Sequence, residues 1–188
     1  VSPIPIASGE KVVIRILDST SRFYDITRLG FSPSHLDRYQ ACLNEPQGLI
    51  LVAGPTGSGN TTTLYAFLNA MKDGAKHIVT IEDPIEYQLE GITQIQVNPK
   101  SGMTYAHGLR SVLRQDPNVI LLGEIRDAET ASVSIQASET GHLVLSTLNT
   151  TNAVAAVTRL LALGLAPDVL ASNLLMIIAQ RLVRRVCP

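Results

Sequence analysis

The chain has no tryptophan, three phenylalanines, five tyrosines and only two cysteines in 188 residues. An aromatic share of 4% leaves too few rings for the stacking platform that grips single-stranded nucleic acid. Cys42 and Cys187 make no disulfide framework, and Cys42 reads as a small core residue. Neither sign of charge dominates. Fifteen basic residues face 16 acidic ones for a net charge of -1, which excludes a globally basic nucleic-acid binder, though not a local basic patch. No apolar run approaches the ~20 residues that a transmembrane helix requires. The richest stretch, Leu174-Leu175-Met176-Ile177-Ile178-Ala179, is bounded by Asn173 and Gln180. Val1-Ser2-Pro3-Ile4-Pro5 has no basic start and no apolar core, so no signal peptide is expected there. These absences suit a cytosolic protein with no nucleic-acid partner and no direct membrane insertion.

What is present is a core. With 45% hydrophobic and 16% charged residues, the chain has room for one packed domain and the edge of a second. Lys11 to Leu17 (KVVIRIL) is β-branched and apolar, a strand with Arg15 embedded in it and no partner before it, as if cut from something longer. Residues 18–34 are rich in turn formers and read as a linker. Ser32 or Ser34 caps an expected helix through Leu36, Tyr39 and Leu43.

From Gly48 the pattern changes. Buried strands are expected at Leu49–Val52, His77–Ile81, Val119–Leu122 and His142–Leu148, with an edge strand at Ile92–Val97. Helices are expected at about Thr61–Met71, Leu109–Gln115, Ala128–Ser138 and Asn152–Leu163, the last closed by Gly164. A final helix is expected over Pro167–Val186, with Leu170, Leu174, Ile177, Ile178 and Leu182 on one face and Arg181, Arg184 and Arg185 near its carboxyl end. Alternating apolar strands and helices imply an α/β fold with a mostly parallel sheet covered on both faces.

Gly54-Pro55-Thr56-Gly57-Ser58-Gly59-Asn60-Thr61 lies between a buried strand and a helix. It fits G-x-x-x-x-G-K-[ST] at every fixed position except the lysine, where Asn60 stands. The glycines let backbone N–H groups curl toward phosphate oxygens, the helix N-terminus adds partial positive charge, and Thr61 offers a hydroxyl to Mg²⁺. An ordinary glycine-rich turn does not explain all the fixed positions in that context. Asn60 donates hydrogen bonds but carries no charge. Losing a charge-assisted contact costs about 1.5–3 kcal/mol, so nucleotide binding should survive better than hydrolysis.

Thr80-Ile81-Glu82-Asp83-Pro84-Ile85-Glu86-Tyr87 puts acids directly after a strand, where ligands gather in parallel sheets. Glu82 can polarise a water, with Asp83 and Glu86 orienting neighbours. Alone the segment would be a solvated acidic turn; beside a phosphate loop the catalytic reading gains. Val119–Glu124 is an apolar strand ending in an acid, suited to holding Mg²⁺. Asp127 fits a helix N-cap. Gly141-His142 and Ser146–Thr150 flank another strand and are read equally well as a γ-phosphate sensor or as a satisfied histidine and turn residues.

Together GPTGSGNTTTLYA, TIEDPIEY, LRQDPNVILLGEIRDAETA and ETGHLVLSTLNTTNA resemble the secretion ATPase superfamily, and within it the type II secretion and type IV pilus assembly ATPases. The resemblance implies a RecA-like P-loop NTPase motor over residues 35–188, truncated at the start of a zinc-binding insertion, with residues 1–34 the end of a preceding domain and its linker. It implies ATP and Mg²⁺ as ligands, held by Gly54 through Thr62 (Gly54, Pro55, Thr56, Gly57, Ser58, Gly59, Asn60, Thr61, Thr62), with Arg15 facing the nucleotide. Glu82 corresponds to the catalytic carboxylate, Glu124 to the Mg²⁺-linked one, and His142 and Asn149 to a pair of histidines, the second replaced here. Cys187 corresponds to a first Zn²⁺ ligand, completed only in a longer chain. The family's subunits form hexamers at the cytoplasmic face of the inner membrane, working with platform proteins. Two departures, Asn60 and Asn149, put turnover in question and leave a non-hydrolysing regulatory subunit as the alternative, with a pilus retraction motor as another.

Overall fold

The computed structural model describes residues 2–14, 25–184 and 186. Strands β1 (Ser2–Ile6) and β2 (Gly9–Val13) form an antiparallel hairpin. The strand expected over Lys11–Leu17 therefore does have a partner before it. The β-branched pattern of Ile4, Ile6, Val12 and Val13 is shared by both arms, although all four side chains are exposed. Arg15 and Cys187 lie outside the described residues.

The remaining elements build one six-stranded parallel sheet in the order β5-β4-β6-β7-β3-β8. These strands are β3 (Gly48–Ala53), β4 (Ile78–Glu82), β5 (Thr93–Gln96), β6 (Val119–Leu122), β7 (Leu143–Leu148) and β8 (Leu174–Ala179). The helices are α1 (Pro33–Leu43), α2 (Asn60–Met71), α3 (Tyr105–Val112), α4 (Ala128–Glu139), α5 (Ala153–Ala162) and α6 (Pro167–Asn173). Strands β3, β4 and β6 are buried along their whole length because both faces are covered. Side chains alternate between two cores. Leu49, Leu51, Ile81, Ile120 and Val144 pack with Leu109, Ala131 and Leu160 on the face of α3, α4 and α5. Ile50, Val52, Ile78, Leu121 and Leu145 pack with Tyr65, Phe67 and Leu68 of α2 on the other. Cys42 packs against this second core, as its small apolar character suggests. The fold is thus α/β with a parallel sheet and helices on both faces.

One element differs in kind from the sequence reading. The last helix stops at Asn173, and Leu174–Ala179 is a strand paired in parallel with β3. A six-residue apolar run fits either a buried strand or a helix face. Here the open side of β3 decides, because its peptide groups are buried and need partners. Asn173 marks the break: its side-chain amide donates to the Val169 carbonyl at 2.9 Å and its oxygen accepts from Ser138 Oγ at 3.1 Å, ending the helix against α4. Arg181 and Arg184 consequently come after a strand, and no helix dipole acts on them.

The caps agree with the sequence. Ser32 caps α1, Asn152 caps α5, and Asp127 caps α4 by accepting from Thr130 N–H at 2.7 Å. That backbone hydrogen bond holds the Asp127 carboxyl below its ordinary 3.8. The ionised cap stabilises the fold above that pH and stops doing so as pH falls through the lowered folded value. Asp127→Ala is expected to lose about 1 kcal/mol in urea unfolding at pH 7, with the gap from wild type narrowing in acid below the ordinary carboxylate range.

Candidate functional site

In a parallel sheet every strand ends at the same edge, so the residues just past those ends gather there. Here the carboxyl ends of β3, β4, β6, β7 and β8 converge on a cavity of about 560 Å³. Its lining includes the 54–62 loop apart from the buried Ser58, the acids Glu82, Asp83, Glu86 and Glu124, and Thr147 and Asn149.

The loop leaves β3 and returns as α2. Gly57 and Gly59 take φ of 83° and 85°, the left-handed region that glycine enters without strain. Gly54 is required by packing: a Cβ there would lie 2.3 Å from Ser58 Oγ and 2.9 Å from the Gln180 carbonyl. Helix α2 begins at Asn60 with Gly59 as its N-cap and no side chain capping it. The first-turn N–H groups and the helix dipole therefore face the cavity side of the loop, the arrangement that holds phosphate. Asn60 turns inward instead. Its Nδ2 donates to the Gly54 carbonyl at 3.2 Å and its Oδ1 accepts from Ser58 Oγ at 2.9 Å, bracing the loop across its own mouth.

Glu82 ends β4 and is buried. Tyr65 Oη donates to its Oε2, while Thr80 Oγ1 at 2.5 Å and Gln94 Nε2 at 3.1 Å donate to its Oε1. All three of these donors are neutral. Burial, and then the hydrogen bond to Glu82, push the Tyr65 phenol above its usual range, so it remains a donor. Glu124 lies just past β6 and pairs through Oε1 with Arg126. The Tyr105 phenol is likewise pushed up, by burial and then by the charge of Glu124 and Asp83. Thr61 and Glu124 offer hard oxygen donors to one cavity, the chemistry Mg²⁺ prefers. No group of three or more metal-ligating side chains stands among the described residues. That fits a cation held by one or two side chains plus substrate phosphates.

His142 is not brought to this cavity. It precedes β7, so it stands at the opposite edge of the sheet, where its carbonyl accepts from Gly48 N–H at the start of β3. Its Nδ1 lies 3.0 Å from the Ala137 carbonyl and 3.3 Å from Thr140 Oγ1. The six residues of β7 separate it from Asn149 by about 20 Å. Within one chain, of the two readings of this histidine, the satisfied structural one matches its surroundings.

A family model described as Type II/IV secretion system protein matches residues 1–188. The chain belongs to that family. It is 54% identical over 188 residues to the type II secretion system protein E of Klebsiella pneumoniae, covering 100% of this chain and 38% of that protein. It is 52% identical to the type II secretion system ATPase E of Vibrio cholerae, again over the whole chain and 37% of that relative. The chain therefore spans less than two fifths of the length of these curated relatives. Among solved structures it resembles the pilus retraction motor PilT with bound ADP, with a TM-score of 0.74 and 34% identity over 92% of this chain and 50% of that one.

The sequence reading missed Tyr65, Thr80 and Gln94 around Glu82, and it missed a residue that braces the loop. Gln180 comes directly after β8 and reaches back to the loop, donating from Nε2 to the Ser58 carbonyl at 2.7 Å and accepting at Oε1 from Thr63 Oγ1 at 2.9 Å. A polar residue directly after an apolar run is the same signal that singled out Glu124. Assigning the run to a helix hid it.

Proposed function

We propose that this chain is the nucleotide-binding motor part of a type II secretion or pilus-assembly ATPase, hydrolysing ATP in the cavity between its phosphate loop and the acids of β4 and β6. One observation carries the reading: the loop of residues 54–62, Glu82 and Glu124 line a single cavity of about 560 Å³. The loop amides take the phosphates. Glu82, fixed by three donors, polarises the attacking water, and Glu124 with Thr61 holds Mg²⁺. Mg²⁺, when bound, supplies the positive charge that neutralises the phosphate oxygens. Asn60 contributes no charge, and Asn149 lines the cavity without a titrating group, so turnover is slow.

The relatives at 52% and 54% identity are named for type II secretion, which favours secretion or assembly over pilus retraction and a motor over a passive subunit. The likeness to the retraction motor with bound ADP supports an adenine nucleotide. On this reading the whole protein is a hexamer at the cytoplasmic face of the inner membrane, docked on platform proteins. No helix among the described residues is long and apolar enough to cross a membrane. Residues 1–34 are, on the same reading, the end of the preceding domain and its linker.

Calorimetry with Mg-ATP, with phosphate release followed on the same sample, tests the reading. Saturable binding with slow release is expected; no binding would overturn it.

A further inference from the structure

We propose that Gln180 is a positioning residue for the phosphate loop, a clasp by which the edge strand β8 holds the loop in its nucleotide-binding shape; this rests on the reading of the cavity as a nucleotide site. Several contacts meet at this residue. Gln180 N–H donates to the Ala53 carbonyl at 2.9 Å, extending the β3–β8 ladder to the last residue before the loop. Its side-chain amide then bridges both sides of the turn: the Ser58 carbonyl on the loop and the Thr63 hydroxyl on the first turn of α2. Gly54 leaves room for the Gln180 carbonyl, and Gly59 for its Nε2, which a Cβ would meet at 2.9 and 3.2 Å. The bridge uses one donor and one acceptor of a single planar amide, so its geometry fixes the spacing between Ser58 and Thr63. The intervening residues supply the N–H groups that would face phosphate.

The chain leaving Gln180 is tied down as well. Arg181 Nη1 donates to the Gln180 carbonyl at 2.7 Å, and its Nη2 donates to the Thr151 carbonyl between β7 and α5. Leu182 then lines the cavity and lies near Gly59. The shape of the loop is therefore coupled to the docking of β8 and of the segment beyond it. Displacing that edge would loosen the grip on phosphate with no change in Glu82 or Glu124.

Gln180→Met keeps the length and apolar stem but removes the bridge. Fluorescent ADP with Mg²⁺, titrated into wild type and Gln180→Met, is paired with amide hydrogen exchange on both proteins without nucleotide. The variant is expected to bind about tenfold more weakly, from the loss of two hydrogen bonds. Amides of residues 57–63 should exchange faster while those of β4 and β6 keep their protection, a local change that general destabilisation does not produce. Equal affinity in the two proteins overturns the clasp and leaves the nucleotide site standing. Failure of wild type to bind overturns the site and the clasp with it. Should Gln180→Met lose protection in β4 and β6, Thr63→Val cuts the same bridge from α2: weaker binding supports the clasp, and unchanged binding overturns it.

Discussion

Asn60→Lys is expected to tighten Mg-ATP binding roughly ten- to hundredfold and to raise phosphate release by at least as much. A charge-assisted hydrogen bond contributes about 1.5–3 kcal/mol, and about 1.4 kcal/mol is tenfold in affinity. The ammonium also tracks the charge that develops on the transferred phosphoryl group, so the effect on turnover should exceed that on binding. The structure shows why asparagine does not substitute. Its amide is engaged within the loop, donating to the Gly54 carbonyl and accepting from Ser58 Oγ. Lysine carries its donors at the end of a longer stem, so it gives up both loop contacts and places its ammonium beyond the reach of the asparagine amide. Asn60→Met, similar in length to lysine up to its charge, is the control and should show neither gain. Equal rates for wild type and Asn60→Lys would contradict this account of the missing cation.

The two carboxylates should fail in different ways. Glu82→Gln keeps the shape of a buried side chain and leaves hydrogen-bond partners for Tyr65, Thr80 and Gln94. It removes only the base, so turnover should fall about 10²–10⁴-fold with nucleotide affinity close to wild type. Glu124→Gln should also stop turnover, but through the metal. Wild type should bind ATP more tightly with Mg²⁺ than with a chelator, and in Glu124→Gln that difference should largely vanish. Arg126, released from its pair with Glu124, then stands as a spare cation beside the cavity, so metal-free binding should be preserved. Phosphate release and equilibrium titration with and without Mg²⁺ separate the two cases. Loss of affinity in Glu82→Gln equal to that in Glu124→Gln would contradict the division of roles.

Much of this site is legible in the sequence because its chemistry is local. The glycine spacing from Gly54 to Gly59 dictates a loop that only a strand and a helix can flank, and both are there. Glu82 and Glu124 come after short apolar runs rich in β-branched residues, which read as strands, and parallel pairing brings them to one edge. The misplacements have equally physical causes. Leu174–Ala179 satisfies both a helical stripe and a buried strand, and only the unpaired side of β3, a feature of the assembled sheet, selects the strand. That choice carries Gln180 to the loop, so the residue could not be read without it. His142 is close to Asn149 in sequence, but a strand lies between them, and a parallel strand sends its two ends to opposite poles. The environment of Glu82 was likewise hidden: Tyr65, Thr80 and Gln94 come from three elements that meet only in the fold.

The decisive measurement is an amide NMR titration of this chain with Mg²⁺ and a non-hydrolysable ATP analogue. If the loop is a phosphate cradle, the N–H signals of Gly57, Gly59, Thr61 and Thr62 should shift together and saturate at one stoichiometric equivalent, while those of Gly48 and His142 at the far pole stay in place. Saturation with the loop signals unmoved, or no saturation at all, would show that the main chain of residues 54–62 does not hold the nucleotide.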